Sequence, residues 1–131
     1  LCGAVRFESR VKPQLAVHCY CLDCRRSSGA GHGTHLVVRK DTFTITGDVT
    51  FYERAADSGN MVKRGFCTTC GSPVFAVNSG MPHLAFPRAS LLEDPEIVDS
   101  QMVVYGERAP SWDRAHPSSI ERDGNHQPRT T

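Results

Sequence analysis

Long apolar runs are missing from this chain. The longest extend only a few residues, against the roughly 20 that a bilayer-spanning helix needs, so no membrane partner is expected. An excess of charge of either sign is missing too. Fifteen Lys and Arg face fourteen Asp and Glu, for a formal net charge of +1, and no general attraction to nucleic acid or to an anionic surface follows. No window holds the helical apolar period for as long as about ten residues, which argues against a helical bundle. Tryptophan is reduced to one residue, Trp112, and no signal-peptide pattern opens the sequence. What remains is 131 residues with 39% apolar and 22% charged side chains. That is the size of one domain, able to bury roughly two-thirds of its unfolded surface.

In place of helices there are many short runs that read as strands. Residues 4–8, 15–17, 34–39, 43–46, 49–52, 61–66, 74–77, 83–86 and 102–105 are β-branched, apolar or alternating, and turn signals such as Pro13, Gly47-Asp48 and Asp57-Ser58-Gly59-Asn60 separate them. Such a pattern predicts a mainly β domain. Between the last two runs, residues 91–97 have room for one short helical turn, limited by Pro95. After Tyr105 the character changes: prolines and scattered charge leave Trp112 and Ile120 as the only large apolar residues of 108–131. The folded domain is therefore expected over 1–113, with 114–131 an irregular extension that is partly disordered from about Glu121, because it cannot bury enough to offset its ordering entropy. Trp112 is expected either to pin this tail to the core or to line a ligand site.

The six cysteines carry the chemistry. Three disulfides would suit a secreted protein, but Cys19, Cys21 and Cys24 are crowded into His18-Cys19-Tyr20-Cys21-Leu22-Asp23-Cys24 at the spacings of metal ligands. Metal thiolates imply a reducing compartment, hence a cytoplasmic location. On extended backbone, Cys-x-Cys projects both sulfurs from one face, and Cys-x-x-Cys aims two thiolates at one point. Three sulfurs on one zinc leave its fourth position free, as in catalytic sites, unless a ligand from elsewhere closes it. A second Cys-x-x-Cys, Cys67-Thr68-Thr69-Cys70-Gly71, has the form of a zinc knuckle. Two pairings fit the count. Cys21, Cys24, Cys67 and Cys70 could make one closed site, at about twice the usual spacing between pairs. Alternatively Cys2 joins Cys67 and Cys70 while Cys19, Cys21 and Cys24 hold their own ion. A cysteine just upstream of Leu1 would then complete the first of these sites. Two zinc ions on six thiolates would bring the net charge to roughly −1.

Taken together, Cys2-Gly3-Ala4-Val5-Arg6-Phe7, the core His18-Cys19-Tyr20-Cys21-Leu22-Asp23-Cys24-Arg25-Arg26-Ser27-Ser28-Gly29-Ala30, Arg64-Gly65-Phe66-Cys67-Thr68-Thr69-Cys70-Gly71-Ser72, Ser90-Leu91-Leu92-Glu93-Asp94-Pro95 and the late Trp112 resemble the glutathione-dependent formaldehyde-activating enzyme family, whose domain centromere protein V shares. The resemblance spans roughly residues 1 to 113. It implies a mainly β, tent-like fold of several small antiparallel sheets around two zinc ions. A structural zinc would use Cys2, Cys67 and Cys70, with its fourth ligand upstream of Leu1, and a catalytic zinc would use Cys19, Cys21 and Cys24. Tyr20 stands where many relatives have histidine.

The reaction implied is addition of a thiol such as glutathione to a small aldehyde such as formaldehyde, or the reverse carbon–sulfur cleavage, with no nucleic acid involved. Glutathione brings two carboxylates, so cations are wanted. Arg25 and Arg26 beside the cysteines are candidates for a bidentate clamp, with Ser27, Ser28 and Gly29 as further donors and Arg88 a weaker candidate. His18 should face away from the cluster, while His32, His35 and His83 are candidate ligands or proton carriers. A non-catalytic thiol carrier and a zinc-stabilised β module for protein interaction are the alternatives. The mixed charge of the tail, Asp113, Arg114, Glu121, Arg122, Asp123 and Arg129, speaks against a nucleic-acid module.

Overall fold

The computed structural model describes residues 1–13, 15–97, 101–114 and, for the backbone, 120–122. Strand follows strand: β1 Arg6–Ser9, β2 Leu15–Cys19, β3 Gly33–Arg39, β4 Phe43–Thr46, β5 Val49–Ala55, β6 Met61–Cys67, β7 Pro73–Asn78, β8 Leu84–Pro87, β9 Gln101–Val104 and β10 Ile120–Arg122, with one α-helix, α1 Leu22–Ser28. The fold is mainly β, as the run of short alternating segments predicts. Within 91–97 a single 3₁₀ turn forms at Pro95–Ile97, and another at Ala89–Leu91 overlaps the start of that segment.

β1 and β4 form a separate antiparallel ribbon. The remaining strands run β10-β9-β2-β3-β8-β7-β6-β5, in effect two four-stranded sheets. Only Val38↔Ala85 and Arg39↔Leu84 pair across their junction, with an isolated bridge between His35 and Arg88 beyond it. β2 and β9 are parallel, with Cys19 opposite Val104. Parallel neighbours need a long crossover, and here nearly the whole chain supplies it. β10 extends the sheet in parallel beside β9, inside the extension expected to be irregular; of the rest of that extension only residue 114 belongs to the described residues.

The sheet is apolar on both faces where β2, β3 and β8 meet. Ala16, Leu36, Val38 and Ala85 pack into a core with Phe43, Ala89 and Leu92, and Leu36 has no exposed surface at all. Burying such a side chain contributes about 1.5–3 kcal/mol. Phe43 reaches across to Phe75 on β7, with ring centroids 5.4 Å apart, and to Phe7 on β1 at 5.6 Å, which fastens the ribbon to the large sheet. The alternate residues Leu15, Val17, Val37, Leu84 and Phe86 point the other way, as strand periodicity requires, and there they wall a cavity.

Candidate metal centre and its cavity

Cys19 ends β2, and the backbone N–H of Tyr20 holds the chain there by donating to Val104 O at 3.1 Å. Cys21 then caps α1. Its backbone is extended (φ −63°, ψ 158°) and its sulfur accepts the N–H of Cys24 at 3.3 Å, the part a serine or aspartate oxygen usually plays. The helix therefore starts inside the cysteine cluster, where the sequence suggested only a tight turn; at seven residues it is too short to show a helical apolar period. The sulfurs of Cys19, Cys21 and Cys24 all lie within 4.8 Å of one another. Those of Cys2, Cys67 and Cys70 do the same, with Cys2 Sγ 3.7 Å from Cys67 Sγ. Of the two pairings open to the sequence, the fold brings together the second.

Crowding three thiols unbalances their acidities. Hydrogen bonds from Cys19 and Cys24 hold the Cys21 thiol down to about 2, and the same contacts push Cys19 up. In the second cluster the N–H groups of Ser72 and Cys2 hold Cys70 down to about 6. Each trio thus already favours a thiolate, and six free cysteines with no disulfide form a soft sulfur donor set that suits zinc. The residues fit the metal that the resemblance implies.

Beside Cys24 lies a second layer. The Nε2 atom of His35 is 3.4 Å from Cys24 Sγ. Its Nδ1 is buried and has no hydrogen-bond partner among the described residues. Burial, then the charges of Arg88 and Arg64, lower the His35 pKa to about 3, so the ring is neutral at pH 7 and carries one N–H. That proton belongs on Nε2, facing sulfur, since a buried N–H left unbonded would cost more than a buried lone pair. Arg88, 7% exposed, donates through Nη2 to Ser27 Oγ at 3.0 Å. Gly33 makes the arrangement fit: a Cβ there would stand 2.6 Å from Arg88 Nη1, 3.1 Å from His35 Nε2 and 3.4 Å from Cys24 Cβ.

All three sulfur-bearing residues, Cys19, Cys21 and Cys24, line a cavity of about 290 Å³ whose walls are mostly hydrocarbon. Its polar groups are few. Asp57 pairs with Arg108 at 2.6 Å, and Asp23 with Arg54 at 3.5 Å. The half-buried side chain of Arg64 makes no hydrogen bond and no ion pair with a carboxylate among the described residues, and its charge acts on the Cys21 and Cys24 sulfurs. Tyr105 closes the wall in a left-handed conformation (φ 55°) with Arg108 over its ring at 4.5 Å.

The other sequence candidates lie elsewhere. Arg25 and Arg26 are exposed in the last turn of α1 and do not line the cavity. Ser28 bonds Arg25 O at 3.1 Å, and Gly29 closes the helix with φ 75°. His18 faces away, bonded to Thr34 and Gln101 at 3.0 and 2.8 Å. His32 pairs with Asp113 at 2.7 Å, so Asp113 holds the start of the tail, whereas Trp112 is 71% exposed and does not pin it. Arg64 opens the motif that ends in the second Cys-x-x-Cys, three positions after the start of β6, and nothing in that spacing marks it as a cation of the other cluster's cavity; strand alternation with Val62, which shares its face and also lines the cavity, is the signal that points to it.

Fold and site together define a β protein with two three-cysteine clusters: all three cysteines of one line the apolar cavity, while Cys2 and Cys67 of the other border a separate, more polar cavity of about 440 Å³. A family model described as glutathione-dependent formaldehyde-activating enzyme matches residues 1–108, and the chain belongs to that family. A Halomonas elongata protein provisionally named glutathione-dependent formaldehyde-activating enzyme is 30% identical over 121 residues, covering 85% of this chain and 74% of that protein. A crystal structure of a Rhodobacter sphaeroides protein shares the fold, with a TM-score of 0.54 and 23% identity over 70% of this chain and 83% of that one.

Proposed function

We propose that the chain is a zinc-dependent carbon–sulfur lyase or synthase, joining a thiol such as glutathione to an aldehyde and reversing that step, as S-hydroxymethylglutathione synthase does. Cys19, Cys21 and Cys24 would hold the catalytic ion, and Cys2, Cys67 and Cys70 a structural one. One observation supports this above others: the Cys19-Cys21-Cys24 trio forms part of the wall of a cavity able to admit a small molecule. Zinc bound there would keep a substrate sulfur as thiolate at neutral pH.

The chain's own residues do the rest. His35 orients the Cys24 sulfur, and Arg88 places a buried positive charge beside a thiolate cluster that would otherwise be too negative. Hydrocarbon walls exclude water from the adduct. Arg64 supplies the cation that a substrate carboxylate needs, from inside a cavity that Arg25 and Arg26 do not line. Free thiols at these positions suit a reducing, cytoplasmic setting, and among the described residues no helix is long and apolar enough to cross a membrane.

Exchange NMR on a mixture of formaldehyde, glutathione and their adduct tests the reading. The protein should speed exchange, and its zinc-free form should not. The pairing of both wall carboxylates with arginines favours, as a second reading, a carrier that binds the thiol without turnover; glutathione binding with unchanged exchange would establish it.

A further inference from the structure

The cavity is more apolar than the adduct of glutathione with formaldehyde requires. That adduct has two carboxylates, an ammonium group and two amides, and its carbonyl half is a bare hydroxymethyl. The wall offers Leu15, Val17, Val37, Leu84, Phe86 and Met102. On β3 the apolar pattern does not alternate with polar residues: Leu36 and Val38 enter the core while Val37 faces the cavity. A hydrocarbon sheet face beside a polar reaction centre is matched by a hydrocarbon substituent on the substrate. Each methylene buried there would gain about fourfold in affinity. Charge on the wall is equally selective. Asp23 and Asp57 are ion-paired, whereas Arg64, the one arginine among the described lining residues, has no carboxylate partner among them, and its charge acts on the Cys21 and Cys24 sulfurs.

Resting on the reading above, we propose that the substrate is the adduct of a thiol acid with an aldehyde larger than formaldehyde, its aliphatic or aromatic chain lying on the β2–β3–β8 wall and its carboxylate on Arg64. In the forward direction the S–H bond and the carbonyl π bond are lost while C–S and O–H bonds form, and nothing is oxidised or reduced.

The zinc-loaded protein is assayed by exchange NMR with 3-mercaptopropionate and, in turn, formaldehyde, acetaldehyde and pentanal. The acceleration over the uncatalysed rate should rise at least tenfold from formaldehyde to pentanal, and Ala76→Phe, which narrows the cavity, should flatten the rise. With pentanal fixed, 3-mercaptopropionate should outperform uncharged 2-mercaptoethanol about tenfold, a preference that Arg64→Gln removes while zinc content stays the same. A flat or falling aldehyde series overturns the hydrocarbon half of the proposal, and equal rates with the two thiols overturn the role of Arg64. If formaldehyde and glutathione are exchanged rapidly while the series is flat, the proposed function stands and this inference falls. Failure to accelerate exchange with any of the aldehydes and any of the thiols, glutathione included, overturns both.

Discussion

His35 turns one nitrogen to Cys24 and leaves the other unbonded among the described residues: Nε2 is 3.4 Å from Cys24 Sγ, and Nδ1 is buried without a hydrogen-bond partner there. A ring that leaves one polar atom unsatisfied in the interior is held there at a cost. The compensating gain is an N–H aimed at a ligand sulfur. Replacing it by phenylalanine removes the N–H and the orphaned atom together. His35→Phe should therefore lower zinc affinity about 10- to 100-fold, the usual effect of losing a hydrogen bond to a metal ligand. Chelator competition measures it, and the melting temperature of the metal-free protein should stay level or rise. A parallel fall in both quantities would make His35 a packing residue only.

Gly33 is where backbone, His35, Arg88 and Cys24 come closest. The 2.6 Å approach of an added Cβ to Arg88 Nη1 can be relieved only by moving a guanidinium that is buried and bonded to Ser27. Gly33→Ala should cost about 1–3 kcal/mol, the range for overpacking a tight interior. Denaturant unfolding checks this, and Gly31→Ala is not a neutral control, because an added Cβ there meets Asp113 Oδ2 at 2.5 Å.

The two cysteine clusters should separate in mutants. Cys67 ends β6, its N–H bonded to Ser72 O and its O to the Gly71 N–H, so a metal there ties a strand end to the N-terminal segment through Cys2. Cys19, Cys21 and Cys24 all line the apolar cavity, whereas Cys2 and Cys67 border a separate, more polar one. Metal analysis should give two zinc ions for the natural chain and one for either Cys21→Ser or Cys70→Ser. Loss of the second cluster should lower the melting temperature by more, since a structural metal contributes directly to folding; loss of the first should abolish thiol–aldehyde exchange with the fold retained. Two ions in Cys21→Ser would refute the assignment of that trio.

Much of this architecture could be read in the sequence, for reasons specific to each part. Phe43-Thr44-Ile45-Thr46 alternates because one face packs on Phe7 and Phe75, and it became β4 with the bounds its pattern suggests. Cys19, Cys21 and Cys24 converge because their spacing is local, so a few backbone angles decide it. The parallel pairing of β2 with β9, by contrast, joins residues more than eighty positions apart, and no periodicity encodes such a partner. Arg64, His35 and Arg88 reach the site from three different strands or strand ends, for the same reason. Trp112 misled: a lone large aromatic suggests burial, but the tail is held through the polar pair His32–Asp113.

The arginines next to the cysteines test how far proximity in sequence predicts contact. Cys21, Cys24, Arg25 and Arg26 are neighbours, but a helix turns each successive side chain by about 100°, and α1 presents Cys24 inward and both arginines outward. At the C-terminal turn their charges meet the negative end of the helix, a favourable interaction of about 0.3–1 kcal/mol. Changing both Arg25 and Arg26 to alanine should therefore cost less than about 1 kcal/mol of stability and alter glutathione affinity by less than about twofold. By the same logic Arg64→Gln should weaken that affinity about tenfold, because a guanidinium with no carboxylate partner among the described residues, inside an apolar cavity, is worth more to a substrate carboxylate than one in water. Calorimetry on the zinc-loaded variants decides between them. Weakened binding in the double variant with unaltered binding in Arg64→Gln would place the clamp on the helix after all.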